Sequence, residues 1–122
     1  MTGPVSSVLL VEDETLIAMD AEDMLRDCGV AEVVLAADYE TAAAALERRL
    51  FDLAIFDLDL SGVSSLPLIE ARVATGVPTV VTSGYDDPPP ALAALGIPVL
   101  RKPLSLRHLK EGAEAAGTRL PC

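Results

Sequence analysis

A chain of 122 residues favours one domain, and at this size folding buries roughly two-thirds of the surface that the unfolded chain exposes, enough for a real core. The composition is 51% hydrophobic with no Trp, two Phe and two Tyr, so the core must be built from Val, Leu, Ile and Ala, a palette suited to a parallel sheet covered by helices. A net charge of −10 makes nucleic acid a poor partner, the longest apolar runs are too short for a bilayer, and "MTGPVSS" has neither the basic start nor the apolar middle of a signal peptide; the expectation is a cytoplasmic chain with no nucleic-acid or membrane partner.

In chain order, "SVLLV" (7–11) reads as a strand. Residues 14–28 read as a helix with Ile17, Ala21, Met24 and Cys28 on one face and Gly29 as its stop. "EVVLA" (32–36) is a strand, and Asp38 is placed to cap the helix "YETAAAALERRL". "LAIF" (53–56) is the third strand and residues 64–74 the third helix, ending near Gly76. "TVVT" (79–82) is the fourth strand, "DDPPP" (86–90) a rigid turn, and "ALAAL" has room for only a stub of helix. "VLR" (99–101) is the fifth strand, and Ser105 can cap a last helix running to about Ala116. This alternation is a (βα)5 pattern, an α/β fold with a doubly wound parallel sheet between two helical layers, in which ligands bind at the carboxyl ends of the strands. Two cysteines in a reducing compartment argue for free thiols. Cys28 reads as a small core hydrophobe, and Cys122, the last residue, would oxidise or do nothing.

The charges are uneven. Ten of the 19 acids lie in the first 40 residues, where Arg26 is the only Lys or Arg, and most of them read as a solvated helix face. The strand ends differ. Glu12 and Asp13 follow the first strand, Asp57 the third, Ser83 and Gly84 the fourth, and Lys102 and Pro103 the fifth. Two carboxylates about 4 Å apart repel by roughly 4 kcal/mol at an effective dielectric near 20, so three together call for a positive partner. A hard divalent cation such as Mg²⁺ fits, and the Lys102 ammonium and Ser83 hydroxyl suit phosphoryl oxygens. A nucleophile, a metal and fixed donors are what phosphoryl transfer needs, with Asp57 as the carboxylate that would form an acyl phosphate.

Each residue has a plainer reading. Asp57 and Asp59 would cap the next helix; Glu12, Asp13 and Glu14 would be acids at a helix start. Ser83 would form a turn, or Thr82 would supply the hydroxyl in its place. Lys102 would be a surface lysine, Tyr85 an ordinary half-buried residue, and His108 an exposed helix residue.

The motifs "VLLVEDE" (8–14), "FDLAIFDLDLSG" (51–62), "VPTVVTSGY" (77–85) and "PVLRKPL" (98–104) stand in an order and spacing that resemble the receiver domain of two-component response regulators over about residues 7–116. The details look like a subset of stand-alone bacterial receivers. The resemblance implies a flavodoxin-like fold with strand order 2-1-3-4-5, one domain over residues 1–122, and no output domain. It implies that Glu12 and Asp13 hold Mg²⁺, that Asp57 is the phosphoacceptor, and that Asp59 gives the metal its backbone carbonyl. Ser83 would be the switch hydroxyl, Lys102 the phosphate-binding lysine, and the Lys102–Pro103 bond cis. The donor would be a phosphohistidine on a histidine kinase or a phosphotransfer protein, and the chain would be a signalling phosphoacceptor rather than an enzyme. Three departures stand out. Val99 occupies the position of the family's aromatic switch, for which Tyr85 is a candidate substitute. "LSG" stands where many receivers have "LPG", and the segment between Ser83 and Lys102 is short and proline-rich. Two further readings compete: a haloacid-dehalogenase-like phosphatase using Asp57 as nucleophile and Asp59 as general acid, and a pseudo-receiver that binds partners without being phosphorylated.

Overall fold

The computed structural model describes residues 3–84 and 89–122. Its elements in chain order are β1 (Ser7–Val11), α1 (Thr15–Cys28), β2 (Glu32–Ala36), α2 (Tyr39–Arg48), β3 (Leu53–Asp57), β4 (Asp59–Leu60), β5 (Val63–Ser64), α3 (Leu66–Ala74), β6 (Thr79–Ser83), α4 (Pro90–Ala94), β7 (Val99–Arg101) and α5 (Leu106–Ala115). Five strands pair in parallel in the order β2-β1-β3-β6-β7. Counting only the strands of this sheet, that is the expected order 2-1-3-4-5.

Burial follows position in the sheet. Every residue of β1, β3 and β6 is buried, whereas the edge strands β2 and β7 are partly exposed. The period-2 alternation of a strand splits the core into two layers. Leu9, Val11, Ala54, Phe56 and Val81 meet α2, α3 and α4 through Ala42, Leu46, Leu68, Ile69 and Leu92. Val8, Leu10, Leu53, Ile55 and Val80 meet α1 and α5 through Ala21, Leu25, Cys28, Leu109 and Ala113. Gly112 lets α5 close on the sheet, since a Cβ there would lie 3.1 Å from Leu100 and 3.3 Å from Val80.

Capping follows the sequence at two helices: Asp38 accepts from the Thr41 amide at 2.7 Å and Ser105 from the His108 amide at 3.2 Å. Other expectations are corrected. The buried face of α1 is Ala18, Ala21, Leu25 and Cys28, with Ile17 and Met24 half-buried at its margin. α2 ends two residues early, because Arg49 turns extended to pair with Glu32 at 2.7 Å and to stack over Phe51 at 4.6 Å. α3 starts at Leu66 rather than residue 64, because Ser64 pairs with Asp59 in a short antiparallel hairpin, β4–β5, that the sequence pattern did not signal. α4 is the expected stub, and the Lys102–Pro103 bond is cis, as the resemblance implied.

The cysteines are not free thiols. Cys28 and Cys122 form a disulfide with Cα atoms 4.8 Å apart across a sequence separation of 94. The compartment argument failed because packing brings the two together. The Val5 amide donates to the Arg119 carbonyl at 2.8 Å, Leu120 is buried in the α1–α5 layer, and Pro121 lies against Gly29. Cys28 keeps its place in that layer. Among the described residues, no helix is long and apolar enough to cross a membrane.

Candidate functional site

Parallel pairing puts the carboxyl ends of β1, β3, β6 and β7 along one edge of the sheet. Two register pairs fix the relative heights there, Asp57 beside Thr82 and Ser83 beside Arg101. Glu12 is held one residue past β1 by its amide, which donates to the Ala36 carbonyl at 3.0 Å. Lys102 is held one residue past β7 by its amide, which donates to the Ser83 carbonyl at 3.0 Å.

Three carboxylates meet at this edge. Glu12, Asp13 and Asp57 each offer an oxygen, and these oxygens lie within 4.8 Å of one another. The Lys102 ammonium bridges two of them, 2.8 Å from Glu12 Oε1 and 2.9 Å from Asp57 Oδ2. Glu12 and Asp57 are both buried at 5% exposure, so this is a charge cluster inside the protein surface rather than on it. The Asp59 amide donates to Asp57 Oδ1 at 3.2 Å, so both oxygens of Asp57 have a partner. Glu12 Oε2 accepts the Glu14 amide at 3.1 Å, which ties the start of α1 to the cluster.

The charges do not balance: three acids face one ammonium. Burial and the neighbouring Asp57 outweigh the Lys102 hydrogen bond and push the Glu12 carboxyl up to about 7. Burial pulls Lys102 down, but its bonds to Glu12 and Asp57 prevail and hold the ammonium above its ordinary value. Asp13, at the open side, is held below the usual carboxylate range first by the Ser61 hydroxyl, which donates to its Oδ2. A pocket in which one buried acid retains its proton toward neutrality is short of positive charge, and its donors are all oxygens, which fits a hard divalent cation. A cleft of about 360 Å³ opens over it, lined by Asp13, Glu14, Asp57, Asp59, Ser61, Gly84 and Lys102.

Of the residues picked out in the sequence, Glu12, Asp13, Asp57 and Lys102 come together directly. Asp59 sits beside them in β4, where its Oδ1 accepts the Gly62 amide at 2.8 Å. Ser83 is buried at the end of β6, and Gly84 borders the cleft with nothing within 4 Å of where a Cβ would stand. Pro103 follows Lys102 at the cis bond, and Val99 is half-buried against the α2–α4 layer. Tyr85 lies outside the described residues. Glu14 stands at the start of α1 with no side-chain cap bond and borders the cleft. His108 is half-buried in the first turn of α5, not exposed as expected.

Two serines escaped the sequence reading. Ser65 is fully buried, and its hydroxyl donates to the Asp57 carbonyl at 2.7 Å and approaches the Leu58 carbonyl at 3.2 Å, clamping the backbone behind the acid. A serine before a Pro-containing first turn is the pattern of a helix cap, the one local signal it offers, yet it makes no cap bond. Ser61 reaches Asp13 across 48 residues, a contact that no local pattern encodes.

The sequence matches the response regulator receiver domain family over residues 8–114. It is 33% identical to the transcriptional regulatory protein PdtaR of Mycobacterium tuberculosis over 98% of this chain, which spans 64% of that protein's length. Among solved structures, SdrG from Sphingomonas melonis Fr1 superposes with a TM-score of 0.83 at 31% identity, covering 94% of this chain and 98% of SdrG. The receiver domain of the hybrid histidine kinase CckA superposes with a TM-score of 0.72 at 32% identity, covering 90% and 97%. With the fold, the strand-end acids and these likenesses in agreement, the chain belongs to the response regulator receiver domains of two-component systems.

Proposed function

We propose that Asp57 accepts a phosphoryl group from a phosphohistidine, carried by a histidine kinase or a phosphotransfer protein, and that the chain acts as a switch for protein partners. The observation that carries this reading is the Lys102 ammonium bridging Asp57 and Glu12 beside Asp13. An Asp57 oxygen forms the new P–O bond as the P–N bond to imidazole breaks, and the electron pair of that bond leaves with the imidazole. Mg²⁺, held by Glu12, Asp13, Asp57 and the Asp59 carbonyl, would supply charge neutralisation for the incoming group. Lys102 orients Asp57 before transfer and offers its ammonium to a phosphoryl oxygen after it. Ser83, at the end of β6, offers its hydroxyl to another such oxygen, and Gly84 keeps the approach clear. A phosphoryl group adds about −1.5 to −2 charges to the strand edge and so favours a rearranged face around Ser83 and Lys102. The chain is then a signalling phosphoacceptor of the cytoplasm.

The test is intact mass after incubation with a small acyl phosphate and Mg²⁺, beside Asp57→Asn and a metal-free control. One phosphate on the wild type, absent from both controls, is the expected result. Equal adduct on Asp57→Asn would place the modification elsewhere and overturn the assignment. Consumption of donor without a lasting adduct, together with hydrolysis of a phosphomonoester, would make the chain a phosphatase.

A further inference from the structure

The β4–β5 hairpin is closed by two residues, Ser61 and Gly62, between the paired Leu60 and Val63. Both have positive φ, 54° and 88°, the left-handed region used by the tight turns that close two-residue hairpins. Ser61 is the only non-glycine residue with positive φ among the described residues. Gly, Asn or Asp would serve that turn position better, because serine has no special tolerance for this conformation. Serine therefore costs stability as a turn residue. What it adds is a hydroxyl, and that hydroxyl donates to Asp13 Oδ2 inside the acid-lined cleft. The Asp59 carboxylate fixes the other side of the turn by accepting the Gly62 amide at 2.8 Å. The hairpin is thus anchored to one cluster acid by backbone continuity and reaches another through Ser61.

We propose that Ser61 is a positioning residue for the cation-binding acids: its hydroxyl holds one oxygen of Asp13 and leaves the other to the cation. The proposal rests on the Mg²⁺ reading of this pocket and says which residue sets its affinity. Of the three acids, Asp13 is the most exposed, and it is not one of the two that Lys102 bridges. Without Ser61 the carboxylate loses its hydroxyl partner and turns more freely toward water, and ordering it again must be offset by the metal. A donor that orients a metal ligand in this way typically contributes 10–100-fold in metal affinity.

The experiment is calorimetric titration of Mg²⁺ into the wild type, Ser61→Gly, Ser61→Asn and Asp13→Asn, with thermal melts of each in the absence of metal. Ser61→Gly removes the hydroxyl while relieving the backbone, so it should bind Mg²⁺ about tenfold more weakly yet melt no earlier than the wild type. Ser61→Asn tolerates the left-handed turn and restores a donor, so it should recover most of the affinity. Ser61→Gly binding as tightly as the wild type would reduce Ser61 to a turn residue, and so would Ser61→Asn binding no better than Ser61→Gly. A wild type that takes up no Mg²⁺, or an Asp13→Asn variant that binds as the wild type does, would overturn the metal reading itself and this inference with it.

Discussion

Asp52 shows how one carboxylate can hold a strand in register. Its Oδ2 accepts the Ser6 amide at 2.9 Å, the Ser6 hydroxyl at 3.0 Å and the Ser7 amide at 3.1 Å, while its own amide donates to the Ser7 hydroxyl at 3.1 Å. These bonds join the starts of β1 and β3, and the first of them holds the Asp52 carboxyl below the usual aspartate range. Asp52→Ala should cost about 1 kcal/mol, at the low end for charged hydrogen bonds because the group is exposed. A depressed pKa in the folded state gives stability that is present above the unfolded value, near 4, and is lost as pH falls through the folded value. The gap between wild type and Asp52→Ala in urea melts should therefore be full at pH 7 and close on acidification below about 4. At the other edge of the sheet, Lys102→Met would leave three acids with no cation. It should cost about 2 kcal/mol, less than a fully buried pair because Lys102 is partly exposed, and millimolar Mg²⁺ should restore part of the loss. Melts with and without Mg²⁺ check this. Both effects belong to single side chains, but only the second site was legible in the sequence. Strand ends announce themselves when apolar runs stop at acids or a lysine, whereas Asp52 precedes its strand and resembles any loop aspartate.

Elements were legible where periodicity and caps agreed. β1, β2, β7 and the cap residues Asp38 and Ser105 stand where the pattern put them, because buried strands and side-chain caps are decided locally. Contacts decided the rest. Arg49 leaves α2 for Glu32 and Phe51, and Ser64 leaves α3 for Asp59, both through partners distant in sequence or across a turn. The end of α1 combines the two kinds of information. Gly29 has φ 109°, and its amide caps the Arg26 carbonyl, as expected of a glycine after a helix. It also carries Pro121, whose Cγ would lie 3.3 Å from an added Cβ. Gly29→Ala should cost about 1–2 kcal/mol from the left-handed backbone alone. Removing Pro121 should recover only the contact part of that loss, which chemical denaturation of the double variant would show.

Across the whole molecule, function and tether occupy opposite ends. The acidic cluster lies at the carboxyl edge of the sheet, and the Cys28–Cys122 bridge lies past α1, at the edge where the strands begin. A bridge spanning 94 residues constrains nearly the whole unfolded chain, worth about 4–5 kcal/mol in the chain-entropy account, or roughly 15 °C in Tm for a domain of this size. Calorimetry with and without a dithiol reductant should show that drop, and Cys122→Ser should reproduce it without reductant. Phosphate uptake should be the same in both forms, because the bridge joins Cys28 and Cys122 and the cluster is built from Glu12, Asp13 and Asp57. The bridge was invisible in the sequence for the same reason the fold was visible: alternation encodes layers, and a contact between residues 28 and 122 is encoded only by how the layers pack.

The Val5 amide on the Arg119 carbonyl also means that the two ends of the described chain lie side by side. Such neighbours can be spliced by a short flexible linker and the chain reopened elsewhere, at the exposed left-handed turn of Gly76 for instance. Circular permutation of that kind would start translation at β6, yet it would leave each strand between its present neighbours. Asp57 and Lys102 would exchange their order along the polypeptide while remaining one salt bridge apart in space.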